Sequence, residues 1–165
     1  MRPIAMLRRL TPLLLLLCSA GLAADSTPSS TADLDKEFSR STLQIATQDS
    51  QLHEFRVWVA DNEPRRQRGL MFVKHMDDGT GMLFIYPRVQ PVSMWMKNTF
   101  IPLDMLFVAP DGRVVRVAAN TTPQSLDTID SGQPVLGVVE LNAGVAAKLK
   151  IRAGAQIIHP AFLPR

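Results

Sequence analysis

Residues 103–109 (LDMLFVA) and 113–119 (RVVRVAA) are two β-rich runs separated only by Pro110-Asp111-Gly112. Glycine accepts positive φ without a Cβ clash, and aspartate hydrogen-bonds its own backbone, so Asp-Gly between such runs reverses the chain as a β-hairpin. The same alternation of short apolar runs and turn residues recurs elsewhere. Residues 42–47 (TLQIAT) alternate, 48–51 (QDSQ) form a turn, and 53–60 (HEFRVWVA) alternate again with Phe55, Val57 and Val59 on one face. These two runs predict a second hairpin. Residues 81–86, 92–97, 134–141 and 155–160 are further short runs bounded by Gly or Pro. Two helices fit between them. Asp61 caps one, with Pro64 in its first turn and Gly69 at its end; Asn142 caps the other over 143–151. The expected fold is therefore mostly β (α+β): a compact, mainly antiparallel, barrel-like sheet of about seven short strands with two short helices.

The N-terminus sets the compartment. Arg2, Arg8 and Arg9 precede an apolar stretch of Leu10 and Leu13 through Leu17, and small residues follow. That stretch is shorter than the roughly 20 residues a bilayer span needs, so residues 1–23 predict an export signal cut near Ala23. Cys18, the single cysteine, lies inside it, and Leu17 before it argues against lipid attachment. The exported chain then has no disulfide, thiolate nucleophile or cysteine metal site. Residues 24–41, rich in Ser, Thr and Pro at their start, are expected to be a disordered linker before one domain over 42–165. The chain has 18 Lys+Arg and 15 Asp+Glu. Three of those arginines and none of the acids lie in the signal, so the exported part is formally neutral. A formally neutral chain gives no argument for a nucleic-acid or acidic membrane surface, and neither a nucleic-acid partner nor stable membrane insertion is expected once the signal is removed. The expectation is a periplasmic or secreted monomer.

Five blocks occur in a fixed order: RGLM (68–71), GMLF (81–84), WMKNTFIPLD (95–104), DGRVV (111–115) and VLGVVELNAG (135–144). Together they resemble the bacterial and archaeal domain-of-unknown-function family 192 over roughly residues 43–159. Met94 departs from the pattern, where an aromatic is more usual. The resemblance implies a small β-rich domain, exported or cytoplasmic, without an established reaction. Its most specific piece is the polar block WMKNT followed by IPLD.

That block carries the candidate site. On a strand, Met94, Met96 and Asn98 share one face and Ser93, Trp95 and Lys97 the other. The methionine face suits the core. Pro102 fixes its own φ, and a reversal over 99–102 sets Lys97 near Asp104. Trp95 offers a stacking face, and Lys97, Asn98 and Thr99 offer polar contacts. Arg68, directly before the GLM that must pack inward, could hold an anion through its guanidinium fork. The expected ligand-binding set is Arg68, Trp95, Lys97, Asn98, Thr99 and Asp104, for a small polar or anionic molecule. The same residues equally describe a cross-strand ion pair beside a tryptophan, contributing under about 1 kcal/mol. Arg65 and Arg66 read as a solvated helix face.

Three other classes stay open. The sequence has no zinc motif, nucleophile elbow or phosphate loop, so a hydrolase would have to use Lys97, Asp104 and Glu140. Two carboxylates could form a glycosidase pair if the fold joins them. Met94 and Met96, with His75 nearby, have the soft ligands of a Cu(I) site, although methionine in apolar runs is ordinary filler. A structural module that docks an envelope protein needs none of these groups. No cofactor is expected.

Overall fold

The computed structural model describes residues 31–163. The expected export signal, residues 24–30 of the expected linker and the last two residues lie outside the described residues. Order begins earlier than the sequence suggests. Helix α1 (Thr31–Glu37) and strand β1 (Ser39–Ala46) occupy the stretch read as linker up to residue 41. The reason is apolar: Leu34 and Phe38, one helical turn apart, are both buried. The Trp58 indole N–H also donates to Asp35 at 2.8 Å.

β1 pairs antiparallel with β2 (Leu52–Ala60), as the alternating runs predict. Helix α2 (Glu63–Arg68) then crosses to β3 (Thr80–Gln90), which lies parallel to β2. A parallel pair needs such a crossover, because a tight turn can only join antiparallel strands. The cap of α2 is Asn62, whose side chain accepts from the Arg65 amide; Asp61 instead pairs with Arg65 at 2.9 Å. β5 (Leu103–Val108) and β6 (Val114–Ala118) form the expected Asp-Gly hairpin, and Gly112 sits at φ 82°. β8 (Val135–Asn142) lies between β3 and β5, antiparallel to both. Helix α3 (Val145–Lys148) and β9 (Gln156–Ile158) follow. The cap of α3 is Gly144 rather than Asn142, whose side-chain amide donates to the Met76 carbonyl at 2.8 Å.

The large sheet has the order β6-β5-β8-β3-β2-β1-β9. Its two edges nearly meet: Arg113 bridges Gln156, and Val114 exchanges backbone hydrogen bonds with Ala155 and Gly154 at 2.8 Å. The result is a nearly closed, mixed barrel, mostly β as expected. Every strand of the large sheet contributes to an inner apolar cluster that includes Ile45, Val57, Leu83, Leu106, Val114, Val139 and Ile157. A second cluster lies on the outer face of β2, β3, β5 and β8, under Leu34, Leu70, Val73 and Met96. Among the described residues no helix is long and apolar enough to cross a membrane.

One expected strand is not part of this sheet. Within residues 92–97 only Ser93–Met94 (β4) pairs, and its partner is Ile129–Asp130 (β7) in a separate two-stranded ribbon. The chain then turns, with the Thr99 amide donating to the Met96 carbonyl at 3.0 Å and Asn98 at φ 56°. The expected Trp95–Asp104 hairpin therefore does not form; β5 is already flanked by β6 and β8.

Candidate functional site

Strand pairing decides where the acids point. Residues opposite one another across a ladder share a face of the sheet. Asp104 opposes Leu141, whereas Glu140 opposes Met105 on β5 and Met82 on β3. Asp104 thus faces the barrel interior and Glu140 the outer cluster, on opposite sides of one sheet. The Asp104 carboxylate is fully buried and accepts backbone N–H bonds from Asn120 and Ala146, each at 2.8 Å. It ties the start of α3 to β5. It meets neither Lys97 nor Glu140, so the expected placement of Lys97 near Asp104 is corrected, and the fold does not join Asp104 and Glu140 as a glycosidase pair.

The other face holds a cleft of about 610 Å³ lined by α2, the chain after it, β3 and the segment from Ser93 to Thr99. Glu140 is among its lining residues and is only 3% exposed. No hydrogen-bond donor or cation among the described residues engages its carboxyl. Burial alone pushes that carboxyl up to about 8, so it is largely neutral below that pH. Tyr86 shares the wall; burial first, and then the neighbouring Glu140, push its phenol up to about 12. The Tyr86 hydroxyl donates to the Met94 sulfur at 3.4 Å, a weak acceptor.

The rim is cationic but mostly self-satisfied. Arg66 reads as solvated in sequence, yet its side chain is 12% exposed and it bonds Glu63 at 3.0 Å. It also donates to the Ile85 carbonyl at 2.9 Å. Arg68 pairs with Glu37 at 3.3 Å and donates to the Gly69 and Met71 carbonyls. Lys97 differs: among the described residues its interaction is with the Trp95 ring, 5.0 Å from the centroid. Trp95 is 48% exposed, an available ring face at the mouth.

Of the sequence-predicted set, Arg68, Trp95, Lys97 and Thr99 line this cleft together. Asn98 points its amide toward the Met71 sulfur at 3.9 Å and does not line it. Sequence reasoning passed over Tyr86, assigned Arg66 to a solvated helix face, and named Glu140 only as an acid/base group for a hydrolase beside Lys97 and Asp104. The available signal was Glu140 itself, a lone acid in the otherwise apolar run 134–141. Met94 lines the cleft, whereas Met96 is buried in the outer cluster. His75 is exposed beside Asp77 at 3.1 Å. Ser41 and His159 lie 3.0 Å apart, but the His159 Nδ1 accepts from the Ala161 amide. Its Nε2 therefore carries the proton in the neutral ring and cannot take one from the serine.

No curated protein matches the chain significantly. Among solved structures, it is similar to a protein of Sinorhizobium meliloti 1021 described as a candidate transcription regulator. The two are 37% identical with a TM-score of 0.74, over 75% of this chain and 96% of that one. It is also similar to a protein of unknown function from Novosphingobium aromaticivorans DSM 12444, at 33% identity and a TM-score of 0.70 over 73% of this chain and 85% of that one. The profile of DUF192, described as an uncharacterised ACR family, matches residues 44–159, which takes in every residue that lines the cleft and all of the barrel but the first residues of β1; the chain belongs to that family.

Proposed function

We propose that the domain is a binding module for a small organic anion with a flat or apolar body, seated in the cleft over Glu140. The observation that carries this reading is the buried Glu140 carboxyl, which has no partner among the described residues and lines an open cleft. The Glu140 carboxyl oxygens are open to the cleft rather than sealed in the core, so a group seated there can reach them. A ligand in the cleft would supply the missing bond. Lys97 adds a charge that no acid offsets among the described residues, and Trp95, Phe84 and Leu70 supply a ring face and apolar wall.

The same rim opposes a metal cation, since Arg66, Arg68 and Lys97 all line the cleft. The description of the Sinorhizobium relative is not carried over to this chain. Its exported part would carry as many acids as bases, whereas DNA binding draws on a surplus of Lys and Arg. The basic and apolar pattern of residues 1–23 supports a site of action outside the cytoplasm.

A thermal-shift panel of organic anions, nucleotides, cell-wall sugars and Cu(I) tests the reading, because a molecule that binds only the folded state raises the melting temperature. The expected result is a saturable rise with an organic anion that is lost in a folded Lys97→Ala variant. A flat panel with a well-folded domain would sink the proposal.

A further inference from the structure

Resting on that cleft reading, we propose that the ligand presents a carboxylate to the protonated Glu140 carboxyl, so that in alkaline solution the anion is taken up together with a proton. The geometry around Glu140 supplies the argument. Its cross-strand neighbours on the same face are Met82 and Met105, both fully buried and apolar. The charged or titratable groups that line the cleft with it are Glu63, Arg66 and Arg68 from α2, Tyr86 from β3 and Lys97 from the turn after β4. β5 presents only the apolar Leu103, Met105 and Phe107 on that face. Arg66 and Arg68 are spent on Glu63, Glu37 and backbone carbonyls. None of these groups hydrogen-bonds or ion-pairs with the Glu140 carboxyl among the described residues, and its burial favours the neutral acid as the resting form.

A neutral carboxyl has an O–H to donate. Donated to an anionic oxygen, it makes a charge-assisted hydrogen bond of the stronger kind. An ionised Glu140 would instead repel the same anion. A phosphate dianion asks for more positive charge than one unoffset lysine provides, whereas a singly charged carboxylate matches it. The exposed Trp95 ring and the Phe84 and Leu70 wall suit a flat body attached to that carboxylate. The ligand class is thus an aryl or similarly flat monocarboxylate. The Tyr86 hydroxyl, whose hydrogen bond among the described residues is to a thioether, can turn to the second carboxylate oxygen.

The test is calorimetry of the domain with phenylacetate, phenylacetamide and 2-phenylethylamine, which share a shape and differ in charge. Each is run at pH 6 and pH 9 in two buffers of different ionisation heat. Phenylacetate is expected to bind at pH 6 with no proton exchange. At pH 9 it should bind about tenfold more weakly and take up about one proton, because Glu140 must first be reprotonated. Glu140→Gln keeps a side-chain donor and should bind phenylacetate equally at both pH values. Equal affinity at pH 6 and 9 without proton uptake would overturn the coupling and leave the anion cleft standing. Preference for the amine would overturn both. Failure of all three probes would overturn the carboxylate assignment, with the broader anion panel then deciding the cleft. If Glu140→Gln does not fold, the proton uptake of the unaltered protein decides alone.

Discussion

Glu140 destabilises the fold it sits in, and the sign is set by its own titration. Its folded value of about 8 lies above the ordinary 4.5, so between those limits the native state holds a proton that the unfolded chain has lost. Stability therefore falls as pH rises from about 4.5 to about 8 and levels off above. By linkage the loss reaches roughly 5 kcal/mol at most. Glu140→Gln should match the parent near pH 4.5 and exceed it by several degrees in melting temperature at pH 9; parallel melting curves across that range check this. Asp104, by contrast, is fully hydrogen-bonded in place. Its carboxylate serves two backbone amides. Asp104→Ala should cost about 2–4 kcal/mol in urea unfolding, leaving the cleft chemistry on the other face untouched. A lone acid in an apolar run was legible in sequence as a buried group. Which face each acid takes was not, because one residue of ladder register reverses it.

Helix α1 and the β4–β7 ribbon are the elements whose roles the chain's local pattern conceals. Composition places the start of the domain where Ser, Thr and Pro give way to β alternation. The helix forms anyway, because Leu34 and Phe38 complete the outer cluster and Asp35 receives the Trp58 indole. Arg40 stacks on the same indole, 3.8 Å from its centroid, and its hydrogen bond to Asp35 is the chief reason that carboxyl titrates below its ordinary range. Leu34→Ala should destabilise the domain by about 2–4 kcal/mol and change the emission of Trp58, measured by fluorescence-detected unfolding. The ribbon shows the reverse case. Residues 92–97 alternate like a strand, and the burial follows: Met96 is buried while Trp95 and Lys97 are exposed. Alternation records which side chains face in, and it is silent on which strand is the neighbour. With β5 taken on both edges, this segment pairs with β7 and leaves the cleft beneath it.

At the scale of the molecule, closure of the barrel separates an inner core from an outer one, and the cleft belongs to the outer. Within the sheet, β8 approaches β3 closely at Gly137, where a Cβ would lie 2.7 Å from the Phe84 carbonyl and 2.9 Å from the Phe162 ring. Gly137→Ala should cost about 1–3 kcal/mol by urea unfolding, and by shifting β8 against β3 it should also weaken ligand binding over Glu140. The sequence alone determined the local grammar: short alternating runs, the Asp-Gly hairpin, the family, and the polar block that contributes Trp95, Lys97 and Thr99 to the cleft. Those features depend on neighbours a few residues apart, within reach of propensity and periodicity. The tertiary structure alone decided that β2 and β3 run parallel, that Asp104 faces inward as a tie to α3, and that Glu140 emerges beneath Trp95 and Lys97. Each of these depends on which strands lie side by side and in what register, and the free energy that selects that pairing comes from burying two cores at once rather than from any single run of residues.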